Sequence, residues 1–362
     1  VGARRAVPSI INSFIRPFDL TKAPLLRAGL ITRDEENHVL MVDMHHIISD
    51  GTSLDVFLLE FMALYAGEEL PRLKIHYKDY AEWQNSTEQE DKIEKQKEYW
   101  LEQFAGGVPV LELPYDYPRP RHKGTAGDRV IFEIGEEETA ALNREALDAG
   151  TTLYTILLAC YYTFLSKISG REDIVIGTPT AGRLLADVEP VIGMFVNTLG
   201  LRNYPEDDKR FSDFLEEVRL RTLTAFENQE YPFEELVENL GIQRDLSRSP
   251  LFDVMFSLQN METAEIAVPG LELTTYDPEN KTAKFDLLLL AFEVEDRLKF
   301  SLEYSTQLFK EDKIDRFIGY FKDVIAIVLR DRDIKLKDIH LSSNLIAPEL
   351  EISGEIEGDF GF

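Results

Sequence analysis

A single cysteine stands among the 362 residues of this chain. That excludes a disulfide scaffold within it and fits a reducing compartment, which points to a cytoplasmic location. Cys160 itself lies in an apolar stretch of helical character. Long hydrophobic runs are also missing: the longest, Tyr154 to Leu165, contains threonine and is too short to span a bilayer. Basic charge is scarce, with 39 Lys and Arg against 66 Asp and Glu and a net charge of -27. A surface of that sign repels phosphate backbones and anionic lipid, so neither nucleic acid nor membrane suits it as a partner. Most of the excess acid reads as a solvated surface. The sequence shows no glycine-rich phosphate loop, no Gly-x-Ser-x-Gly nucleophile motif, no short repeat and no signal-peptide core. It opens on Val1 rather than methionine and closes on an acidic tail ending at Phe362, which reads as a piece of a larger polypeptide.

What is present is ordinary globular material, 44% hydrophobic and 10% aromatic, long enough for two lobes with their own cores. A strand at Leu26 to Thr32 and the charged turn Arg33 to Asn37 lead into a second strand, Val39 to His46, and the pair reads as a β-hairpin. Beyond Gly51 an apolar stripe predicts a helix ending near Gly67, and a more polar helix covers Gln89 to Phe104. Three prolines and a glycine within Leu113 to Gly124 mark a linker. The pattern then restarts. Strands are predicted at Arg129 to Ile134, Asp173 to Pro179, Met194 to Arg202, Phe252 to Gln259, Lys284 to Val294 and Leu298 to Tyr304. Helices are predicted up to Leu147, over Leu153 to Ser169, Phe211 to Asn228 and Phe233 to Leu240, and over Lys313 to Leu329. The sum is mixed α/β with antiparallel hairpins in place of strict βαβ alternation. Composition divides the chain into an amino-terminal lobe at 1–118, a carboxy-terminal lobe at 119–345 and an acidic tail at 346–362.

One stretch concentrates chemistry. Asp43-Met44-His45-His46-Ile47-Ile48-Ser49-Asp50-Gly51 places two of only six histidines side by side at the end of an apolar strand. Strand alternation puts His38, Leu40, Val42, Met44 and His46 on the more apolar face, so His46 projects from its buried end and His45 points away. Adjacent strand residues do not converge on one ion, which argues against a metal. A histidine near neutral pKa can take a proton from an attacking amine or hydroxyl. Asp50 could order the loop or orient the ring, and Gly51 permits close approach. With no nucleophile motif alongside, direct transfer fits better than a covalent intermediate; Ser49, the nearest hydroxyl, reads as a capping group. Taken alone, the stretch reads equally well as a hydrogen-bonded histidine pair at a strand end.

The stretch resembles the His-His-x-x-x-Asp-Gly signature of condensation domains of nonribosomal peptide synthetases. Four further motifs follow in family order. Tyr77-Lys78-Asp79-Tyr80-Ala81-Glu82-Trp83 is similar to the family's tyrosine-to-tryptophan motif, and Gly193-Met194-Phe195-Val196-Asn197-Thr198 to its Phe-Val-Asn-Thr strand. Asn228-Gln229-Glu230-Tyr231-Pro232-Phe233-Glu234 carries Glu230 where the family has aspartate. Arg244-Asp245-Leu246-Ser247-Arg248-Ser249-Pro250-Leu251 carries Ser249 where the family has asparagine. The family's upstream Ser-x-x-Gln and Arg-His-Glu motifs are not in this sequence, so the resemblance implies a domain lacking the first part of its amino-terminal lobe.

The resemblance implies two chloramphenicol-acetyltransferase-like lobes in a V-shaped pseudo-dimer, with mixed and antiparallel sheets flanked by helices. It implies peptide-bond formation between a donor aminoacyl or peptidyl thioester and the amine of an acceptor aminoacyl thioester. Both ride on phosphopantetheine arms of upstream and downstream carrier proteins, beside an adenylation domain; no cofactor is bound directly. The catalytic set is then His46 with His45, Asp50 and Gly51. Arg183, in the loop Thr180-Ala181-Gly182-Arg183, is implied to pair with Asp50 across the lobes, which makes Asp50 structural. Asn197 and Thr198 lie near the lobe interface, bonded either to backbone or to substrate. Arg244 and Arg248 are expected to pair with local acids. The motif wording looks more like an L-configured-donor domain than a D-configured one, and unlike an epimerization domain. Two other classes stay open: a free coenzyme A-dependent acyltransferase, which needs a basic nucleotide pocket, and a non-catalytic module that docks carriers.

Overall fold

The computed structural model describes residues 10–342 except 12, 244, 261–270 and 272–280. Arg244 and the acidic tail at 346–362 lie outside the described residues. The carboxy-terminal half is built on a six-stranded mixed sheet. Its strands are β3 (Gly127–Ile134), β4 (Ile174–Thr180), β5 (Asn197–Asn203), β6 (Val254–Asn260), β7 (Leu287–Val294) and β8 (Arg297–Ser305), in the spatial order β3-β8-β7-β6-β4-β5. β6 runs parallel to β4 and β7, and the remaining pairs are antiparallel. Alternation fixes which side chains go inward: Leu298, Phe300, Leu302 and Tyr304 of β8 are buried on one face.

Helices α4 (Glu136–Asp148), α5 (Leu153–Ser169), α6 (Phe211–Glu227) and α8 (Glu311–Arg330) pack with this sheet. Helix α5 is apolar nearly all round, and its residues from Leu153 to Ser166 are buried except Tyr154. Only a helix enclosed on all sides tolerates such a sequence. Helix α8 buries a stripe from Ile314 through Phe317, Phe321 and Val324 to Val328, the helical spacing visible in the sequence.

The amino-terminal part contains a hairpin of β1 (Leu26–Thr32) and β2 (His38–Met44), then α1 (Gly51–Tyr65), α2 (Tyr77–Gln84) and α3 (Thr87–Gln103). Packing crosses the compositional boundary at 118. Trp100, Phe104, Leu111 and Leu113 belong to the carboxy-terminal core. Asp116 accepts the Lys310 N–H at 2.9 Å and pairs with Lys313 at 3.0 Å. Arg119 pairs with the buried Asp286, whose carboxylate also receives the Tyr115 hydroxyl at 3.1 Å.

Three expectations need correction. Residues 194–196 are not strand, because β5 starts at Asn197 and the backbone ahead of it turns away to meet α1. Tyr77–Gln84, whose aromatic residues read in the sequence as packing that seats the following helix, is a helix in its own right, opened by a capping box in which Asp79 accepts the His76 N–H at 2.8 Å. Strand β2 ends at Met44, and its predicted inward face is not buried along its length: His38 and Leu40 are exposed, Leu40 at 42%, and Val42 and Met44 are only half-buried, as are Val39 and Met41 of the opposite face. The cause is Phe14, which packs over Gly29 beside Met41 and covers that face of the hairpin.

Candidate active site

The residues after β2 form a single 3-10 turn, His46–Ile48, between the strand and α1. His45 stabilises that turn: its Nδ1 accepts the Ile47 N–H at 3.0 Å, and its ring meets Phe18 edge-on at 6.0 Å. Strand parity therefore does not place His46, which opens the turn. It is exposed, and among the described residues its imidazole has no hydrogen-bond or ion-pair partner. The structure separates the two histidines, His45 bonded within the turn and His46 without such a bond, for a geometric reason other than strand parity. Ser49 is buried, with its hydroxyl 3.5 Å from the His45 carbonyl, so it is part of the turn.

Asp50 is the N-cap of α1, and among the described residues it bonds to neither histidine. Its Oδ1 accepts the Ser53 N–H at 2.8 Å and the Arg183 guanidinium at 3.1 Å, and Oδ2 accepts the Phe195 N–H at 3.0 Å. Asp50 and Arg183 keep only 3% and 4% of their side-chain surface. Burial pushes the Asp50 carboxyl up, but the hydrogen bonds from Ser53, Phe195 and Arg183 outweigh it and hold the group below the usual carboxylate range. Ser53, fully buried, is the residue that sequence reasoning missed. Its single hydroxyl proton faces Asp50 Oδ1 at 2.7 Å and the Gly193 carbonyl at 2.8 Å, and its oxygen accepts from Arg183 and the Gly193 N–H. The Asp50-x-x-Ser53 spacing of a helix N-cap was the available signal.

Arg183 is gripped from its own lobe as well. Its Nη1 donates to the carbonyls of Val188 at 2.6 Å and Val191 at 2.7 Å, and the guanidinium lies 4.2 Å over the Phe195 ring. Gly182 must be glycine twice over: its φ is +65°, and an added Cβ would sit 1.9 Å from the Phe195 carbonyl oxygen. An apolar patch of Val188, Val191 and Phe195 meets Leu73, Ile75, Tyr77 and Tyr80. The Tyr77 hydroxyl donates to the Met194 carbonyl at 2.7 Å, and a Cβ at Gly193 would strike its ring. The tyrosine motif and the Gly-x-Phe strand motif are thus two halves of one joint.

Asn197 and Thr198 divide. The Asn197 amide donates to the carbonyls of Gln229 and Tyr231 at 2.8 and 2.7 Å and accepts from the N–H groups of Thr198 and Phe233 at 2.8 and 3.2 Å. Its capacity is spent on backbone, holding the loop ahead of α7 (Phe233–Asn239). Thr198 pairs with Pro179 in the β4–β5 ladder. Arg248 pairs with Asp253 at 2.6 Å and with Glu112, as expected of a local ion pair. Gly51 has a space rather than a constraint: an added Cβ would meet nothing of the protein.

Chemically, the arrangement is a free imidazole on a short turn, with the helix behind it bolted to the other lobe through buried charge. No hydroxyl or thiol is bonded to His46 among the described residues, and burial pushes the Cys160 thiol up. Among the described residues no group of three or more His, Cys, Asp or Glu could hold a metal ion, and no helix is long and apolar enough to cross a membrane.

A family model described as a condensation domain matches residues 3–350. The chain belongs to the condensation domain family. Tyrocidine synthase 3 of Brevibacillus parabrevis is 50% identical over 330 residues, which are 91% of this domain and 5% of that protein. Gramicidin S synthase 2 of Brevibacillus brevis is 47% identical over 345 residues, 95% of this domain and 8% of that protein. The domain therefore spans only a small part of the curated relatives it matches. Among solved structures, a holo four-domain nonribosomal peptide synthetase bound to AMP and glycine superposes with a TM-score of 0.84 at 23% identity, covering 94% of this domain and 27% of that chain. The X-domain of teicoplanin biosynthesis, in complex with OxyB, also gives 0.84, at 25% identity, over 93% of this domain and 77% of that chain. The chloramphenicol-acetyltransferase-like mixed α/β fold implied by the motifs is the observed one.

Proposed function

We propose that this condensation domain joins a donor aminoacyl or peptidyl thioester to the amine of an acceptor aminoacyl thioester, both held on carrier-protein phosphopantetheine arms. The acceptor nitrogen attacks the thioester carbonyl, the carbon–sulfur bond breaks, and the donor thiol is released as the amide forms. His46 receives the proton lost by the nitrogen or orients the amine for attack. The observation that carries this reading is the buried Asp50–Ser53–Arg183 joint, which fixes the helix behind the His46 turn without using His46 itself. Upstream and downstream carrier proteins and a neighbouring adenylation domain are the partners. The pantetheine arms arrive with them, so the domain itself needs no resident cofactor, and the cytoplasm is its place of work.

A free coenzyme A enzyme needs unpaired cations for the nucleotide phosphates. Two arginines that line cavities of the molecule, Arg248 in one and Arg219 in another, are already paired with Asp253 and Glu216. The test is a condensation assay with loaded donor and acceptor carriers. His46→Ala is expected to abolish dipeptidyl product while carrier binding persists. Equal product with alanine at 46 refutes the mechanism and leaves a docking role.

A further inference from the structure

Phe18 is half-buried, yet it belongs to neither of the buried apolar clusters of the domain. Its ring is committed to two polar neighbours instead. The Arg27 guanidinium lies 3.8 Å from the ring centroid, and the His45 imidazole meets the ring edge-on at 6.0 Å. Arg27 is held in its turn by the hairpin. It pairs at 2.9 Å with Asp43, its cross-strand partner in β1 and β2, and its Nη2 donates to the Arg16 carbonyl. Just past Phe18, the Asp19 carboxylate accepts the Thr21 N–H at 3.1 Å and closes the turn that leads toward β1. His45 prolongs the same hairpin, its N–H donating to the Leu25 carbonyl at 3.0 Å.

The turn at His46–Ile48 depends on how the His45 ring is set. Its Nδ1 accepts the Ile47 N–H at 3.0 Å. A ring nitrogen that accepts carries no hydrogen, so the imidazole hydrogen sits on Nε2. The bond also needs one orientation of the ring plane. The outer torsion of a histidine is broad and has no sharp staggered minimum, so the orientation has to come from neighbours. Phe18 is the one aromatic ring against His45 among the described residues. Aromatic rings have a negative face and a positive edge, so the edge-on pair prefers a geometry and supplies more than bulk. A cation over the Phe18 face fixes that ring as well. We propose that Phe18 is a positioning residue for the condensation reaction: backed by Arg27, it holds the His45 imidazole where it accepts the Ile47 N–H, and thereby fixes the turn that presents His46. The inference rests on the proposed role of His46 in that reaction.

The test compares Phe18→Leu, which keeps apolar bulk without a ring, with Phe18→Tyr, which keeps the ring. Amide hydrogen exchange at Ile47 reads the turn without reference to any reaction, and condensation between loaded donor and acceptor carriers reads turnover. Phe18→Leu is expected to speed Ile47 exchange about tenfold, the combined weight of one aromatic and one cation contact. Its kcat is expected to fall by about tenfold with KM for both carriers unchanged, as misplacement of a reacting group does. Phe18→Tyr is expected to stay within about twofold of the parent in both readouts. Because Phe18 acts through His45, Phe18→Leu in a His45→Ala background is expected to change kcat by less than about twofold. Parental exchange or turnover in Phe18→Leu, protection lost across the whole domain, no rescue by tyrosine, or a further tenfold loss in the His45→Ala background overturns the inference. Undiminished product from His46→Ala sinks the proposed reaction, and faster Ile47 exchange in Phe18→Leu then still assigns Phe18 to the turn. Product lost in His46→Ala, with parental Ile47 exchange in Phe18→Leu, overturns this inference alone.

Discussion

Asp50→Asn is the sharpest probe of the joint. The wild-type carboxylate accepts on both oxygens: Ser53 N–H, Ser53 hydroxyl and Arg183 on Oδ1, and Phe195 N–H on Oδ2. Asparagine keeps the shape but offers one acceptor oxygen. With its oxygen toward Ser53 and Arg183, the new NH₂ confronts the Phe195 N–H, donor against donor; the flipped rotamer confronts more donors still. The variant also strands the Arg183 charge in a buried site. Removing one partner of a buried pair costs roughly 3–5 kcal/mol, and the carbonyls that also hold Arg183 place this case at the lower end. At about 2–4 °C per kcal/mol for units of this size, Tm is expected to fall by roughly 6–12 °C. Differential scanning fluorimetry reads the shift, and amide hydrogen exchange localises it to 182–195. A Tm within one degree of the parent, with unaltered exchange in that loop, would refute the account of the joint.

Acid dependence should follow from the same group. Asp50 has its folded pKa lowered, so its contribution is present above the unfolded value of about 3.9 and is lost as pH falls through the folded value. The Tm gap between parent and Asp50→Asn is therefore expected to be full at neutral pH and to close below about pH 4; thermal scans across that interval measure it, and a constant gap contradicts the assignment. Asn197→Ala leaves two carbonyls and two N–H groups without their side-chain partner and is expected to cost about 3 kcal/mol in urea unfolding; a loss below 1 kcal/mol would count against its role as a brace. His45→Ala removes the acceptor for the Ile47 N–H and should cost about 1 kcal/mol, whereas His46→Ala, at an exposed and unpartnered ring, should stay within about 0.5 kcal/mol. A reversed order in a chemical denaturation series would mean the histidine roles are exchanged.

The helices with strong apolar stripes and the strands with clean alternation were legible because burial imposes their periodicity directly; α5 and α8 are the clearest cases. The β7–β8 pair was legible for the same reason, as two successive strand-like runs, Lys284 to Val294 and Leu298 to Tyr304. What failed did so where tertiary contacts decide. Met194, Phe195 and Val196 have strand-like side chains, yet their backbone is claimed by α1 through the Phe195 N–H. Tyr77–Gln84 is too short and too aromatic to show helical period, and only the His76-to-Asp79 capping spacing marks it. The faces of β2 were misjudged because Phe14, distant in the predicted order of elements, covers the side that seemed less apolar. At the site, the motifs named Asp50 and Arg183 but not Ser53, whose importance lies in hydroxyl geometry.

The grip on Arg183 has a consequence for how the two parts of the domain associate. Its bonds to the Val188 and Val191 carbonyls and its stacking on Phe195 all lie within one short segment of the carboxy-terminal half. The guanidinium is therefore held from its own side as well as by Asp50, whereas the Gly193 and Phe195 N–H groups that close the joint are held by Ser53 and Asp50. From the amino-terminal side the joint orders only a short aspartate and a serine, side chains with few rotamers to lose, while the long arginine is shared with carbonyls of its own segment. The helix behind the turn that carries His46 is thus fixed by the two side chains of the joint with the fewest rotamers.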